Sequence, residues 1–254
     1  MTWILRRRWR LLVLFLVGLF WALGMTAEPG AAQIASGSDW TQRGWRSHQS
    51  GNYTEALAAW SRALEGPTTP AEAAILYANL GRTYYAIGQP HLALDAWKEA
   101  IELYQTVEGD RVQLEIARLT LERGQAFDAL GMPEHARRQL DAVRNHWPDN
   151  ADRDLEETAA TLEGNIWRSL GEYDNAIAAY KQTRALARQA DDVAEIASAL
   201  GNLGATYERC ARRYRYRTET ATAEGDDDRA AVAAAMAREC ETQAIASFAE
   251  SADL

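Results

Sequence analysis

Five glycines limit what this chain can fold into. Gly44, Gly81, Gly124, Gly164 and Gly204 each sit within a stretch of helical period, and all but the last have a second glycine seven positions on: Gly51, Gly88, Gly131 and Gly171. Alanines follow at Ala56, Ala93, Ala136, Ala176 and Ala244, each with Trp60, Trp97, Leu140, Tyr180 or Phe248 four positions later. The clearest copy is 77–104, YANLGRTYYAIGQPHLALDAWKEAIELY. Tyr77, Leu80, Gly81 and Tyr84 recur at three- and four-residue steps, which is one face of a helix. Gly88 suits the residue after a helix end, and Pro90 suits a first turn, where a missing N–H costs nothing. Ala93, Leu94, Trp97, Ala100 and Ile101 then repeat the helical step. Small residues at Gly81 and Ala93 let two antiparallel helices approach closely, with Tyr84 and Trp97 filling the space around the contact.

This spacing resembles the tetratricopeptide repeat (TPR), whose pattern is aromatic-x-x-Leu-Gly-x-x-Tyr, a short turn, then Ala-x-x-x-aromatic. Tyr77, Leu80, Gly81, Tyr84, Ala93 and Trp97 match it. Ala56, Ala93, Ala136 and Ala176 recur at intervals of roughly 40 residues, longer than the common tetratricopeptide length of about 34. With Asn79-Leu80-Gly81 and Asn202-Leu203-Gly204, they resemble the variety with forty-odd residues to a repeat. In the first unit Arg43 and Ser47 replace the usual Leu and Tyr, and in the third Leu140 and Val143 are variants. The resemblance implies an all-α superhelical solenoid over 39–254. Its helix-turn-helix units are expected at about 39–66, 71–110, 111–148, 154–190 and 193–254. Stability would come from burial between neighbours, and the first helices would line a concave face.

The family likeness also implies a function: a non-enzymatic scaffold that holds a protein or peptide partner in the concave groove. Carried over by the glycine register, the peptide-binding positions are Asn79, Arg82 and Tyr85, then Gln125 and Asp128, then Asn165 and Arg168, and finally Asn202. Asparagine suits such positions because its amide offers a peptide backbone both a donor and an acceptor. The paired-lysine pattern that grips a C-terminal carboxylate in some TPR proteins is missing, so that ligand is not expected. Two other roles fit the same repeats: an assembly factor for a membrane complex, or a regulatory subunit that holds a separate enzyme.

Ahead of the repeats, Arg6, Arg7, Arg8 and Arg10 precede a continuous apolar run at 11–25, and Gly30-Ala31-Ala32 supplies small residues. That is the order of a secretory signal peptide. The expectation is a cleaved segment at 1–32, a linker at 33–38, and an exported chain in the periplasm, a thylakoid lumen or the extracellular space. The alternative is an uncleaved anchor, for which the run 11–25 falls short of the roughly 20 residues that a spanning helix needs. Only then would the chain meet a membrane. A signal segment followed by such repeats is similar to the front part of exported cyanobacterial proteins in which a caspase-like CHAT domain follows. With the sequence closing at Leu254, a peptidase is expected only as a separate chain. The formal charge is −9, and segment 1–32 holds four arginines and one glutamate, so its removal takes the charge to −12. Nucleic acid is therefore not an expected partner.

No reactive constellation is expected. His48, His91, His135 and His146 show no i,i+4 pairing, so no metal site is predicted. No phosphate-binding glycine loop or serine elbow occurs, and neither cysteine shares a unit with a histidine. No catalytic residue, cofactor or metal follows from the sequence. One basic run, Arg209, Arg212, Arg213, Arg215 and Arg217, is interleaved with Tyr214 and Tyr216. It reads either as a patch for an anionic ligand or as a solvated face paired with Glu219, Glu239 and Glu241.

The fifth unit is longer than the rest. The stretch from Gly204 to Ala244 is more than three times as long as that from Gly81 to Ala93. The added segment contains no proline and reads as helix on both sides of Glu224-Gly225-Asp226, with Asp226–Asp228 placed to cap the second helix. Shared equally, the addition lengthens each helix by roughly 14 residues, about four turns, and forms a projecting hairpin. Folding about Gly225 pairs positions whose numbers sum to about 450, which brings Cys210 opposite Cys240. Both cysteines fall on the inner stripe, with Leu203, Tyr207 and Tyr214 on one helix and Ala233, Ala237 and Ala244 on the other. A Cys210–Cys240 disulfide is expected, because export favours it. The alternative is two reduced, buried cysteines.

Overall fold

A computed structural model describes residues 37–109 and 111–254. The signal segment expected at 1–32 and residues 33–36 of the expected 33–38 linker lie outside those residues, while Gly37 and Ser38 already belong to the first helix. Among the described residues ten helices follow one another: α1 Gly37–Gln49, α2 Tyr53–Leu64, α3 Pro70–Ala86, α4 Pro90–Tyr104, α5 Val112–Ala129, α6 Pro133–Asn145, α7 Arg153–Ser169, α8 Tyr173–Gln189, α9 Val193–Ala223 and α10 Asp227–Ala252. They form five antiparallel pairs stacked in chain order, an all-α solenoid with a long hairpin as its last unit.

Local chemistry sets where each helix begins and ends. At the α3–α4 turn Gly88 takes φ +73, its N–H donates to the Tyr85 carbonyl at 3.0 Å, and the Gln89 N–H donates to the Tyr84 carbonyl at 2.8 Å. This left-handed closure satisfies the last carbonyls of the helix and favours a residue without a Cβ. Between α8 and α9 the same conformation falls on Asp191, at φ +54. Starts are fixed by side chains. Thr69 and Glu72 form a reciprocal capping box ahead of α3, and Asp152, Asp192 and Asp226 accept from the backbone of α7, α9 and α10.

The core is a series of clusters strung along the stack. Trp60 with Leu76 and Leu80 joins the first unit to the second, and Trp97 with Leu119 joins the second to the third. Leu121, Leu140, Leu155 and Leu162 join the third to the fourth, and Tyr180 with Leu203 and Tyr207 joins the fourth to the fifth. Within each pair the second helix lays a ring over the first-helix glycine. A Cβ on Gly81 would lie 2.4 Å from the Trp97 ring; one on Gly44 would meet Trp60 at 2.3 Å, one on Gly164 Tyr180 at 2.6 Å, and one on Gly204 Phe248 at 2.6 Å. The third unit departs from this rule. The space over Gly124 is taken by Leu162 of α7, 2.5 Å from such a Cβ, and not by Leu140 of its own pair. With no aromatic on α6 to cover the glycine, α7 packs directly on α5 and fills the gap.

In the last pair, Ala223 closes α9 nineteen positions after Gly204, whereas Ala86 closes α3 five after Gly81. Asp227 opens α10 seventeen positions before Ala244, whereas Pro90 opens α4 three before Ala93. Both helices therefore outrun the ordinary pair by the same length, roughly 14 residues, which at 1.5 Å per residue projects the hairpin by roughly 21 Å. Cys210 and Cys240 face each other across it, both buried, with Cα atoms 6.0 Å apart.

Two glycines give opposite expectations. Gly81→Ala drives a methyl into the Trp97 ring, which is buried and held by a 3.2 Å bond to the Ala78 carbonyl. This substitution should lower stability by about 1–3 kcal/mol. Gly201 lies inside α9 with nothing within 4 Å of its Cβ position, so Gly201→Ala should raise stability by about 0.5–1 kcal/mol. Thermal unfolding of the two variants checks both signs, and a destabilised Gly201→Ala would contradict the packing described.

Candidate functional site

Side chains bridge each first helix to the next, and they define one continuous face. Between α1 and α3 the His48 Nδ1 lies 3.0 Å from Thr83 Oγ1. Thr83 already donates its hydroxyl proton to the Asn79 carbonyl at 2.8 Å, so the imidazole is the donor, through Nδ1–H. Burial, and then the Arg82 charge, hold His48 below its ordinary pKa. Between α3 and α5, Arg82 Nε donates to Glu122 Oε1 at 2.9 Å. Between α5 and α7, Ser169 Oγ donates to Asp128 Oδ1 at 2.9 Å. Between α7 and α9, Arg168 Nη1 donates to Asn202 Oδ1 at 3.1 Å.

All eight positions carried over from the repeat pattern lie on α3, α5, α7 and α9, and the structure draws six of them into this network. Arg168 gathers two asparagines: while Nη1 bonds Asn202, Nη2 donates to Asn165 Oδ1 at 3.0 Å, and the guanidinium carbon lies 5.5 Å from the centre of the Tyr180 ring. Tyr180 Oη donates to the same Asn165 oxygen at 2.6 Å. Burial raises the Tyr180 pKa; Arg168 opposes this, Asp128 adds to it and Arg209 opposes it. In the second unit Arg82 Nη1 donates to Asn79 Oδ1 at 3.4 Å, and Asn79 is only 8% exposed. Asp128 takes the Ser169 bond. Tyr85 instead sets its ring 5.9 Å from Trp97, and burial followed by the Asp128 charge raises its pKa. Gln125 is half-buried on α5.

Because arginine has only donors, the amides of Asn165 and Asn202 must turn their oxygens toward Arg168. Their Nδ2 groups then have no acceptor among the described residues. What the pattern did not disclose is Glu122, the carboxylate that ties α5 to Arg82, and the organising role of Arg168. Both are contacts across 34–40 residues, beyond the reach of helical periodicity. Of the basic run on α9, only Arg215 pairs with an acid among the described residues, Glu241 at 3.5 Å; Glu219 and Glu239 take no arginine of that run there. The described residues contain no group of three or more His, Cys, Asp or Glu placed to hold a metal ion. No helix among them is long and apolar enough to cross a membrane.

Residues 74–111 match the tetratricopeptide repeat family. The fold is a tetratricopeptide solenoid. Solved structures show the same architecture at low identity. A Rap protein complexed with competence and sporulation factor is 17% identical with a TM-score of 0.58, over 80% of this chain and 54% of that one. The chain thus spans about half the length of that structure. BtubC from P. vanneervenii is 16% identical with a TM-score of 0.53, over 81% and 79%. The nearly identical TPR-like repeats of a Podosopora anserina protein described as a kinesin light chain are 14% identical with a TM-score of 0.54, over 86% and 98%. No curated protein matches the chain.

Glu122 makes the face sensitive to pH. Burial holds its carboxyl above the ordinary value of 4.5, against the pull of Arg82, and its Oε2 is buried without a partner. The folded state therefore keeps this proton to a higher pH than the unfolded chain does. Stability at this site falls as pH rises from about 4.5 and is regained on acidification. Glu157 and Glu195 are also raised, in each case first by burial. Glu122→Gln should thus shrink, without abolishing, the gain in Tm on going from about pH 7.5 to about pH 5.5. A series of melts across that range checks it, and an unchanged profile would contradict the assignment.

Proposed function

We propose that the chain is a non-enzymatic scaffold, acting in an exported compartment, that holds an extended segment of a partner protein along its first-helix face. The supporting observation is the arrangement around Arg168. Two asparagines have their oxygens turned inward by one guanidinium, which leaves their amide N–H groups to meet backbone carbonyls of a bound strand. An extended ligand presents such carbonyls at regular intervals. Repeat solenoids present extended surfaces of this kind, and one of the structural neighbours was solved as a complex with a factor. Tetratricopeptide repeats generally serve as such scaffolds.

Two experiments test this reading. The chain without residues 1–32, immobilised, should retain a partner from an extract of the exported compartment, and Asn79→Ala with Asn202→Ala should lose at least tenfold of that binding with helicity unchanged. A double variant that keeps full affinity would refute the groove assignment. For export, the protein made in an exporting host should begin near Gln33. It should also show no reactive thiol after denaturation without reductant, with Cys210 and Cys240 joined. A bridge closing this loop stabilises by roughly 3–4 kcal/mol in the chain-entropy model. A chain that keeps Met1 and pellets with membranes, or two free thiols, would refute the corresponding part.

A further inference from the structure

A second line of side chains leaves the bridged face and climbs the projecting hairpin. On α9, Asn202, Arg209, Arg212 and Tyr216 are separated by seven, three and four positions. At roughly 100° per residue they share an arc of about 80° on one side of the helix. The foot of this stripe is fixed, because Asn202 accepts from Arg168. Arg168 also lies over the Tyr180 ring, and the Arg209 charge favours the ionised form of the same hydroxyl. Above them Arg209 and Arg212 are exposed, and Tyr216 is 71% exposed.

The other arginines of the run are occupied. Arg213 donates to the Gly171 carbonyl at 2.6 Å and lies 5.8 Å from the Tyr173 ring centre. Arg215 is held by Glu241. Arg217 lies 5.3 Å from the Tyr214 ring centre. Arg168, Arg209 and Arg212 have no carboxylate partner among the described residues. In a chain of formal charge −9, this edge is a local concentration of uncompensated positive charge that draws an anionic ligand.

We propose that this stripe of α9 docks a short acidic segment of a partner protein, its carboxylates on Arg168, Arg209 and Arg212 and one aromatic or aliphatic side chain against Tyr216. The dimensions suit an extended strand. Asn202 to Tyr216 spans roughly 21 Å, the length of about six extended residues. Guanidinium groups grip carboxylates through paired N–H bonds, and an exposed tyrosine gives a rigid contact at low entropic cost. A bilayer of anionic lipid fits worse. Glu208 and Glu219 flank the stripe, and the hairpin tip carries Glu224, Asp226, Asp227 and Asp228, which would meet a broad negative surface; a single strand passes between them. The stripe goes beyond the groove reading; it shares Arg168 and Asn202 with the groove, and its test rests on Arg209, Arg212 and Tyr216, which the groove does not use.

The test is fluorescence anisotropy with a short labelled peptide carrying glutamate at alternate positions and one central leucine, alongside a peptide with glutamine in place of glutamate. At low salt the protein should bind the glutamate peptide at least tenfold tighter than the glutamine peptide, and the difference should shrink as salt is raised. Arg209→Gln with Arg212→Gln should lose about tenfold, and Tyr216→Ala severalfold. Asn79→Ala and the remote charge-matched variant Arg46→Gln with Arg153→Gln should lose nothing. All these substitutions except Asn79→Ala are at exposed positions, and circular dichroism checks each fold. Equal affinity for the two peptides, or no loss in the Arg209/Arg212 variant, would overturn the proposal. An equal loss in Asn79→Ala would place the peptide in the groove instead. Arginine-dependent binding to phosphatidylglycerol vesicles without binding to the peptide would assign the stripe to a lipid surface and overturn it as well.

Discussion

Everything in this solenoid rests on one kind of contact: a large side chain laid over a helix that has no Cβ beneath it. Trp60 on Gly44, Trp97 on Gly81, Tyr180 on Gly164 and Phe248 on Gly204 bring the two helices of a unit closer than any larger residue would allow. The approach distance fixes the angle of the pair, and the angle fixes where the next pair can sit. Small alanines at the facing positions, all buried, keep the repeat uniform. The third unit shows that the constraint belongs to the glycine and not to the aromatic. When α6 supplies only Leu140, Leu162 enters from the following unit. The close approach then couples two first helices directly, so the burial over that glycine is shared between neighbouring units.

Once the first helices stand side by side, their outward residues must satisfy one another across unit boundaries. The pairs His48–Thr83, Arg82–Glu122, Ser169–Asp128 and Arg168–Asn202 do this at four successive junctions. Such bonds contribute little apolar burial, but at the three partly buried junctions a mismatched register would leave polar atoms short of partners, which costs more than the bonds gain. The arrangement therefore acts on specificity of stacking as well as on the proposed ligand contacts. At Arg168 the two roles meet, since the same geometry that joins α7 to α9 orients the free amides. At Glu122 they conflict: burial opposes the charge that its Arg82 bond needs.

Much of the fold was legible in the sequence because its determinants are short-range. Glycine, alanine and aromatic recur within a single helix pair, and Gly88 with Pro90 marks a turn by backbone preference alone. The hairpin was legible by symmetry, since folding at Gly225 pairs 210 with 240, and their Cα atoms lie 6.0 Å apart. The candidate face was legible only as a stripe. Periodicity places Asn165, Arg168 and Asn202 on the same side of their helices, but not that one arginine holds both amides, because that depends on the stagger between α7 and α9. For the same reason the basic run was legible only as a block of charge. Helical spacing cannot tell that Arg213 reaches Gly171 and Arg215 reaches Glu241 while Arg209 and Arg212 reach no acid among the described residues.

The long hairpin follows a different physical logic from the units before it. Its extension buries Cys210, Ala211, Ala221, Ala230, Ala233, Ala237 and Cys240, side chains too small to remove much apolar area from water. Two features compensate. Alanine has the highest intrinsic helix propensity, so the alanine-rich α10 needs less packing than most helices to remain helical. The cysteine pair sits less than two turns past Gly204, just beyond the ordinary contact, where the proposed cross-link would limit splaying of the hairpin. Held in this way, α9 can carry exposed charge along its shaft, because its helix does not depend on burying that side. An element stabilised largely by its own backbone can keep a basic edge without acidic partners, whereas the shorter first helices use Arg82 and Arg168 to hold one another.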